Sequence, residues 1–219
     1  MLIVWTHVAL DSIQKLMTEW HFYEPANGHR LPHDPLNAIV APRPIGWIST
    51  LSSEGVRNLA PYSFFNVLNY KPPLIGFSSM GWKDSVANAE ATGEFVWNLA
   101  TRPLAEAMNA TSAAIEGDEF AAAGIEAAPC RIVAPPRVAA SPVAFECVVT
   151  QIVRLETRNG RSLDQWLVIG EAVGIHIDTS LLDDGVYQTA RARPISRGGG
   201  PEDYFETTPA TLFRIRRPG

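Results

Sequence analysis

APRPIGWISTLSSEGVRNLAPYSFFN, residues 41–66, runs strand, turn, returning strand and loop in one unbroken segment. Ile45 to Leu51 reads as a strand, because it opens after a proline pair and carries Trp47, Ile48 and Thr50, residue types that suit a pleated surface. Ser52-Ser53-Glu54-Gly55 is a turn signal, and Val56 to Leu59 comes back as a second short strand, giving a β-hairpin. Proline then interrupts regular pairing in Ala60-Pro61-Tyr62-Ser63-Phe64-Phe65-Asn66. Hydroxyls, rings and an amide are thereby set on irregular backbone of the kind that binds ligands.

Outward from this hairpin, alternation and β-branched content predict strands over 37–42, 45–51, 56–60, 73–79, 94–100, 143–155 and 165–177. The last two are joined by Thr157-Arg158-Asn159-Gly160, a hairpin turn, so the pairing is antiparallel. Helical patterns fall at 83–91, 103–112 and 118–123. Long strands with few short helices predict a mainly β, antiparallel, Greek-key-like barrel whose ends are plugged by helices. No repeat is visible, and residues 17–219 are expected to form one domain. Met1 to Leu16 has neither a basic n-region nor a small-residue cleavage site, so it reads as an extension outside the core, not a signal peptide.

Composition narrows the function. Hydrophobic residues make up 46% and charged residues 19%, and no apolar run approaches the roughly 20 residues a membrane span needs, so a membrane role is not expected. A net charge of −5 argues against a nucleic-acid partner, and Arg214, Arg216 and Arg217 read as a solvated tail. Cys130 and Cys147 have no CxxC spacing and no neighbouring histidine cluster, so no metal site is expected from them. They read as small packed residues or inert thiols in a reducing cytoplasm.

The 41–66 segment continues into ordered blocks: Pro72-Pro73-Leu74-Ile75-Gly76-Phe77-Ser78-Ser79, Lys83-Asp84-Ser85 with Asn88, Gly93 to Leu99, Ser141 to Cys147 and Gly170 to Asp178. This series resembles the FMN-binding split-barrel family, in its flavin reductase-like branch, which also holds flavoredoxins. The likeness covers roughly residues 20 to 205. It implies a split barrel that binds FMN noncovalently and works as a homodimer with cofactor sites near the subunit interface. The reaction it implies is reduction of flavin by NADH or NADPH, with electrons passed to a partner monooxygenase or another acceptor. A flavoredoxin-like carrier without a nicotinamide site, fed by a redox protein, and a barrel that binds no flavin remain alternatives.

Site residues follow from the same resemblance. Ser78, Ser79, Lys83, Asp84 and Ser85 would hold the phosphate, since hydroxyls, a lysine and exposed N–H groups at a helix start form an anion site. By themselves these could equally be a helix cap and a solvated side chain. Arg43, Pro44, Ile45, Gly46, Trp47, Ile48, Ser49 and Thr50 would run along the ring and ribityl chain, some through backbone alone because only every second side chain shares a face. Asn58, Ala60, Pro61, Tyr62, Ser63 and Phe64 would close over the flavin edge, although Tyr62, Phe64 and Phe65 equally suit a packed core. Asn98, between apolar strand neighbours, is expected to be a buried amide with a partner in the ribityl or phosphate region. His176 would face the barrel mouth near the ring or stand as a half-exposed strand histidine. Arg197, before Gly198 and Gly199, would approach the site, though the family's bulky residue between arginine and glycine is missing here. No GxSxG, HExxH or GxGxxG motif is present, in keeping with hydride transfer that needs positioning more than a side-chain acid.

Overall fold

The computed structural model describes residues 19–218, so the expectation for residues 1–16 lies outside it. Backbone packing divides the chain into two compact units, Met1–Leu36 and Asn37–Gly219. In the first, a 3-10 turn at Pro25–Asn27 is closed by the Gly28 N–H donating to the Pro25 carbonyl at 3.2 Å.

The second unit is built on seven antiparallel strands: β1 (Gly46–Leu51), β2 (Arg57–Tyr62), β3 (Phe65–Asn69), β4 (Leu74–Met80), β5 (Glu94–Asn98), β6 (Val143–Glu156) and β7 (Ser162–Ile177). Their order in the sheet is β2-β1-β5-β6-β7-β4-β3. β2 and β3 are therefore its two opposite edges, yet only Ser63 and Phe64 separate them in sequence. A sheet with its edges tied so closely must curl until they meet. At the seam the Ser78 N–H donates to the Phe64 carbonyl at 2.8 Å, and the Tyr62 ring lies 4.7 Å from that of Phe77. The result is a split β-barrel. Beside it, β8 (Ile195–Arg197) pairs with both Arg43–Pro44 and β9 (Tyr204–Glu206) in a small second sheet.

β1 shows why the sequence closes this way. Trp47 and Ile48 point to opposite faces and both are fully buried, because each face of the strand is covered. Ile48 packs inside the barrel with Phe77, Phe95 and Val168, whereas Trp47 joins a second cluster with Leu59, Met108, Phe120 and Val138. Burial of each such side chain is worth about 1.5–3 kcal/mol. Helix α1 (Asp84–Thr92) sends Val86 and Ala89 into the barrel cluster, and Gly93 ends it in the left-handed conformation (φ 73°) with its N–H on the Ala89 carbonyl at 3.0 Å.

Three expected elements change and one strand is added. Instead of a strand at 37–42 there is a helical turn, Leu36–Ile39, started by the Asp34 carboxylate accepting the Leu36 N–H at 2.9 Å. β3 is a strand the sequence hides: Asn66 to Asn69 are exposed, so an edge strand shows no buried alternation. The helix expected at 103–112 begins as a 3-10 turn, Arg102–Leu104, and continues as α2 (Ala105–Ala110). That at 118–123 shortens to α3 (Glu119–Ala122), capped by Asp118 accepting the Ala121 N–H at 3.1 Å.

Candidate functional site

A cleft of about 500 Å³ opens between β2, the start of α1 and the 111–116 segment. Asn58, Ala60, Pro61 and Tyr62 come from β2, Lys83, Asp84 and Ser85 from the head of α1, and Ser112, Glu116 and Glu119 from the facing wall. Lys83 holds extended backbone (φ −85°, ψ 169°) and no side chain caps the helix. The first amides of α1, those of Asp84 and Ser85, therefore lack intrahelical acceptors, and with the Lys83 ammonium they offer donors at this end of the cleft, beside the carboxylates of Asp84 and Glu116.

Asn58 is the hub of a buried network behind the cleft. Its Oδ1 accepts from Ser85 Oγ at 2.8 Å and from Thr50 Oγ1 at 3.3 Å, while its Nδ2 donates to Glu119 Oε1 at 2.8 Å. Asn88 Nδ2 donates to Thr50 Oγ1 at 3.1 Å, and Glu119 Oε2 accepts the Leu59 N–H at 3.3 Å. One amide thus ties β1, β2, α1 and α3 together. Burial raises the Glu119 carboxyl above its usual range against the pull of its N–H donors, and the Asp84 charge adds to the rise. Burial likewise raises the Tyr62 phenol, opposed by the Ser85 and Ser79 hydroxyls.

A smaller recess of about 270 Å³ shares Pro61 and Ser112 with the cleft, so the two make one groove. Ile45, Ser63, Arg197 and Tyr204 line this far end. Arg197 is fixed there by its own loop: Nη1 donates to the Asp203 carbonyl at 2.8 Å, Nη2 to the Pro201 carbonyl at 2.6 Å, and the guanidinium sits 4.9 Å from the centre of the Tyr204 ring.

Of the residues singled out in the sequence, Ile45, Asn58, Ala60, Pro61, Tyr62, Ser63, Lys83, Asp84, Ser85 and Arg197 meet along this groove. Gly46, Trp47, Ile48, Ser49 and Thr50 do not line it. They are buried behind it, with Trp47 Nε1 donating to Thr111 Oγ1 at 3.0 Å. Arg43 spends its guanidinium on the carbonyls of Asn37, Val40 (2.6 Å) and Gly198 (3.0 Å) and lies 5.8 Å from the Phe64 ring centre. Pro44 lines a separate apolar cleft with Phe65 and Trp97. Ser78 accepts from Gln165 Nε2 at 2.6 Å, and Ser79 donates to the Gly81 carbonyl at 2.9 Å.

Two expectations are corrected. Asn98 is buried, and its amide donates to the Trp47 carbonyl at 3.2 Å and accepts the Val138 N–H at 2.8 Å, so both ends have partners within the fold. His176 does not face this groove. Its Nε2 lies 2.5 Å from Glu146 Oε1 in a pocket of about 630 Å³ that shares no lining residue with the groove. Glu146 also accepts the N–H groups of Arg131 (2.9 Å), Ile132 (2.6 Å) and Val133 (3.0 Å). Burial pushes its carboxyl up, but these donors together with His176 outweigh it and hold the value down at about 2. Ser112, Glu119 and Tyr204 escaped sequence reading, because they sit in an alanine-rich stretch and a terminal segment that no local pattern marks as a wall.

Among the described residues no helix is long and apolar enough to cross a membrane. A family model described as "Flavin reductase like domain" matches residues 40–196. An uncharacterized protein of Halalkalibacterium halodurans is 36% identical over 193 residues, covering 84% of this chain and 89% of that protein. Another, from Aquifex aeolicus, is 36% identical over 170 residues, covering 74% and 83%. Among solved structures, the 2-nitrobenzoate 2-nitroreductase of Pseudomonas fluorescens aligns with a TM-score of 0.74 at 30% identity over 84% of this chain and 88% of that one. The nitrilotriacetate monooxygenase component B of Bacillus cereus aligns with a TM-score of 0.76 at 28% identity, over 91% and 100%. On this match, which spans most of the chain, and with the split barrel it folds into, the chain belongs to the flavin reductase-like domain family.

Proposed function

We propose that this protein is an FMN-binding oxidoreductase that takes electrons from NADH or NADPH and passes them to a partner oxygenase or another acceptor. The observation that carries the reading is the single groove with an uncapped helix start and Lys83 at one end and Pro61, Ser63, Ile45 and Arg197 at the other. Its larger part alone falls within the size range of small-molecule sites. The residues fit the group: Lys83 and the Asp84 and Ser85 amides would hold the phosphate, with the Ser85 hydroxyl kept on Asn58 behind them, while Ala60, Pro61, Ser63 and Ile45 would flank the ring. Asn58 and the Leu59 N–H hold the two Glu119 oxygens in the wall, and burial, by raising this carboxyl, lessens its opposition to a bound phosphate.

Bound flavin supplies two-electron acceptance from a nicotinamide and onward delivery to a second acceptor. The chain's part is positional. The Asn58 network holds β2 against α1, so the two ends of the groove keep a fixed separation, and Arg197 places a cation at the far end where negative charge is to be stabilised. The likeness to a nitroreductase and to a monooxygenase component makes a small nitroaromatic and an oxygenase-bound flavin the acceptors to assay.

The homodimer belongs to the same reading. Ile45 lines both the recess and an apolar cleft of about 460 Å³ walled by Phe65, Val67, Trp97, Phe145, Ile175 and Ile177, of which Val67 and Ile175 are half exposed. A second copy seated on that face would cover apolar surface and lie beside the groove.

An absorption spectrum of the purified protein, followed by anaerobic addition of NADH and of NADPH, tests the proposal: the flavin band should be present and should bleach with at least one donor. A flavin that bleaches only with a reduced redox protein would make this a carrier, and a colourless protein that fails to take up FMN would end the reading. The double substitution Lys83→Ala, Ser85→Ala should weaken FMN binding at least tenfold, or about 1.4 kcal/mol, by titration.

A further inference from the structure

The pocket around His176 shares no lining residue with the groove, and Glu146 and His176 in its wall meet Cys130 beside it, three metal-ligating side chains from distant parts of the sequence. The ligand atoms of Cys130, Glu146 and His176 all lie within 4.8 Å of one another. Strand pairing explains the gathering. Glu146 on β6 is opposite Gly174 on β7, and His176, two residues further on, shares its face. A Cβ at Gly174 would come within 3.3 Å of the Glu146 side chain and 3.1 Å of Ile132, so the glycine leaves the carboxylate its room. Cys130 immediately precedes the three residues whose N–H groups cradle that carboxylate. Their bonds orient Glu146 as an outer shell orients a ligand.

From this arrangement we infer that Cys130, Glu146 and His176 form a binding site for a divalent transition metal, with zinc the best match to one sulfur, one imidazole and one carboxylate. Tetrahedral zinc at ordinary bond lengths sets its ligands about 3.3–3.8 Å apart, so the widest spacing in the cluster closes by about an ångström while the His176–Glu146 pair, now at 2.5 Å, opens by about as much. The cation would replace the present His176 to Glu146 hydrogen bond with two coordinate bonds and take the Cys130 sulfur as thiolate: the thiol proton goes to solvent, and the Nε2 proton of a neutral His176 moves to Nδ1, or leaves as well if the ring starts as imidazolium. Three protein ligands leave a fourth position open to the pocket, where Arg131 and Arg137 form part of the wall and the Nε of Arg137 is buried without a partner. Water or a small anion is the fourth ligand such a wall favours. Local spacing could not show this site: Cys130, Glu146 and His176 are joined by barrel pairing and not by a motif.

The test uses the full chain, stripped with a chelator and then titrated with Zn²⁺ against a chromophoric competitor, and with Co²⁺ followed by difference absorption. One equivalent of Zn²⁺ should bind, and Co²⁺ should give tetrahedral bands with a thiolate charge-transfer band. Cys130→Ser should abolish that band and weaken Zn²⁺ at least tenfold. His176→Gln, at a partly exposed position, should weaken it likewise, and Cys147→Ala should change neither. Failure to bind one equivalent, or binding that survives both Cys130→Ser and His176→Gln, would leave Glu146 and His176 as a plain hydrogen-bonded pair and overturn the inference. Metal stoichiometry does not depend on flavin, so this result and that of the flavin titration fail separately.

Discussion

Two carboxylates are buried in the barrel unit, Glu119 behind the flavin groove and Glu146 in the cysteine–histidine pocket, and their acidities move in opposite directions. Both pay for leaving water. Glu119 receives one side-chain amide at 2.8 Å and one long backbone bond at 3.3 Å, with the Asp84 charge nearby, so burial wins and the carboxyl is raised. Glu146 receives three backbone N–H groups between 2.6 and 3.0 Å and His176 at 2.5 Å, so the donors win. The number and distance of fixed donors, not burial, sets the sign. The groove accordingly has a raised carboxyl in its wall, whereas the other pocket has a lowered one.

The largest expected effect lies at the stronger pole. Glu146→Gln turns part of a three-donor cradle into donor facing donor and should cost about 3 kcal/mol of stability at neutral pH. Because the folded value of about 2 lies below the ordinary 4.5, the stabilisation is complete above 4.5 and is lost as pH falls from there towards 2. Urea unfolding of both proteins across that window should show their difference closing on acidification. A constant difference would mean that packing, and not charge, is what Glu146 supplies.

Asn58→Ala comes next, at about 2 kcal/mol, because it strips the acceptor from the Ser85 and Thr50 hydroxyls and the donor from Glu119 in one step. It should also weaken FMN binding more than it lowers the melting temperature would suggest, since β2 and the head of α1 lose their common tie. Unchanged FMN affinity in a folded Asn58→Ala protein would separate the network from the groove.

How much of this was legible beforehand depends on what each residue's signal was. The hairpin, the turn at Thr157 to Gly160 and the start of α1 were readable because each is fixed by neighbours in sequence. β3 was not, since an exposed edge strand has no alternation to betray it. The hairpin residues and Lys83 to Ser85 lie along one groove, but Ser112 and Glu119 reach it by tertiary packing from a segment without pattern. Asn98 was rightly read as a buried amide that needs partners, and wrongly paired, because the Trp47 carbonyl and the Val138 N–H are brought to it only when the sheet closes. For His176 the structure takes the second of its two readings, a partly exposed strand histidine: strand periodicity gives a face, and only the β6–β7 register says that Glu146 shares it.

Glu119→Gln should have the smallest effect and the opposite trend. A glutamine can accept from one of Asn58 and Leu59 but must present its amide to the other, a loss of about 1 kcal/mol. For a carboxyl raised on folding, the stability it contributes is present below the ordinary 4.5 and is lost as pH rises through the folded value. The variant has no such loss. Its deficit against the parent should therefore be greatest near or below the ordinary carboxylate value and shrink towards neutral pH, where the Glu146→Gln deficit is at its fullest. Unfolding midpoints in urea at four or five pH values decide it: a Glu119→Gln deficit that grows with pH would mean that the groove carboxylate is held down like its counterpart, and the contrast between the two sites would be lost.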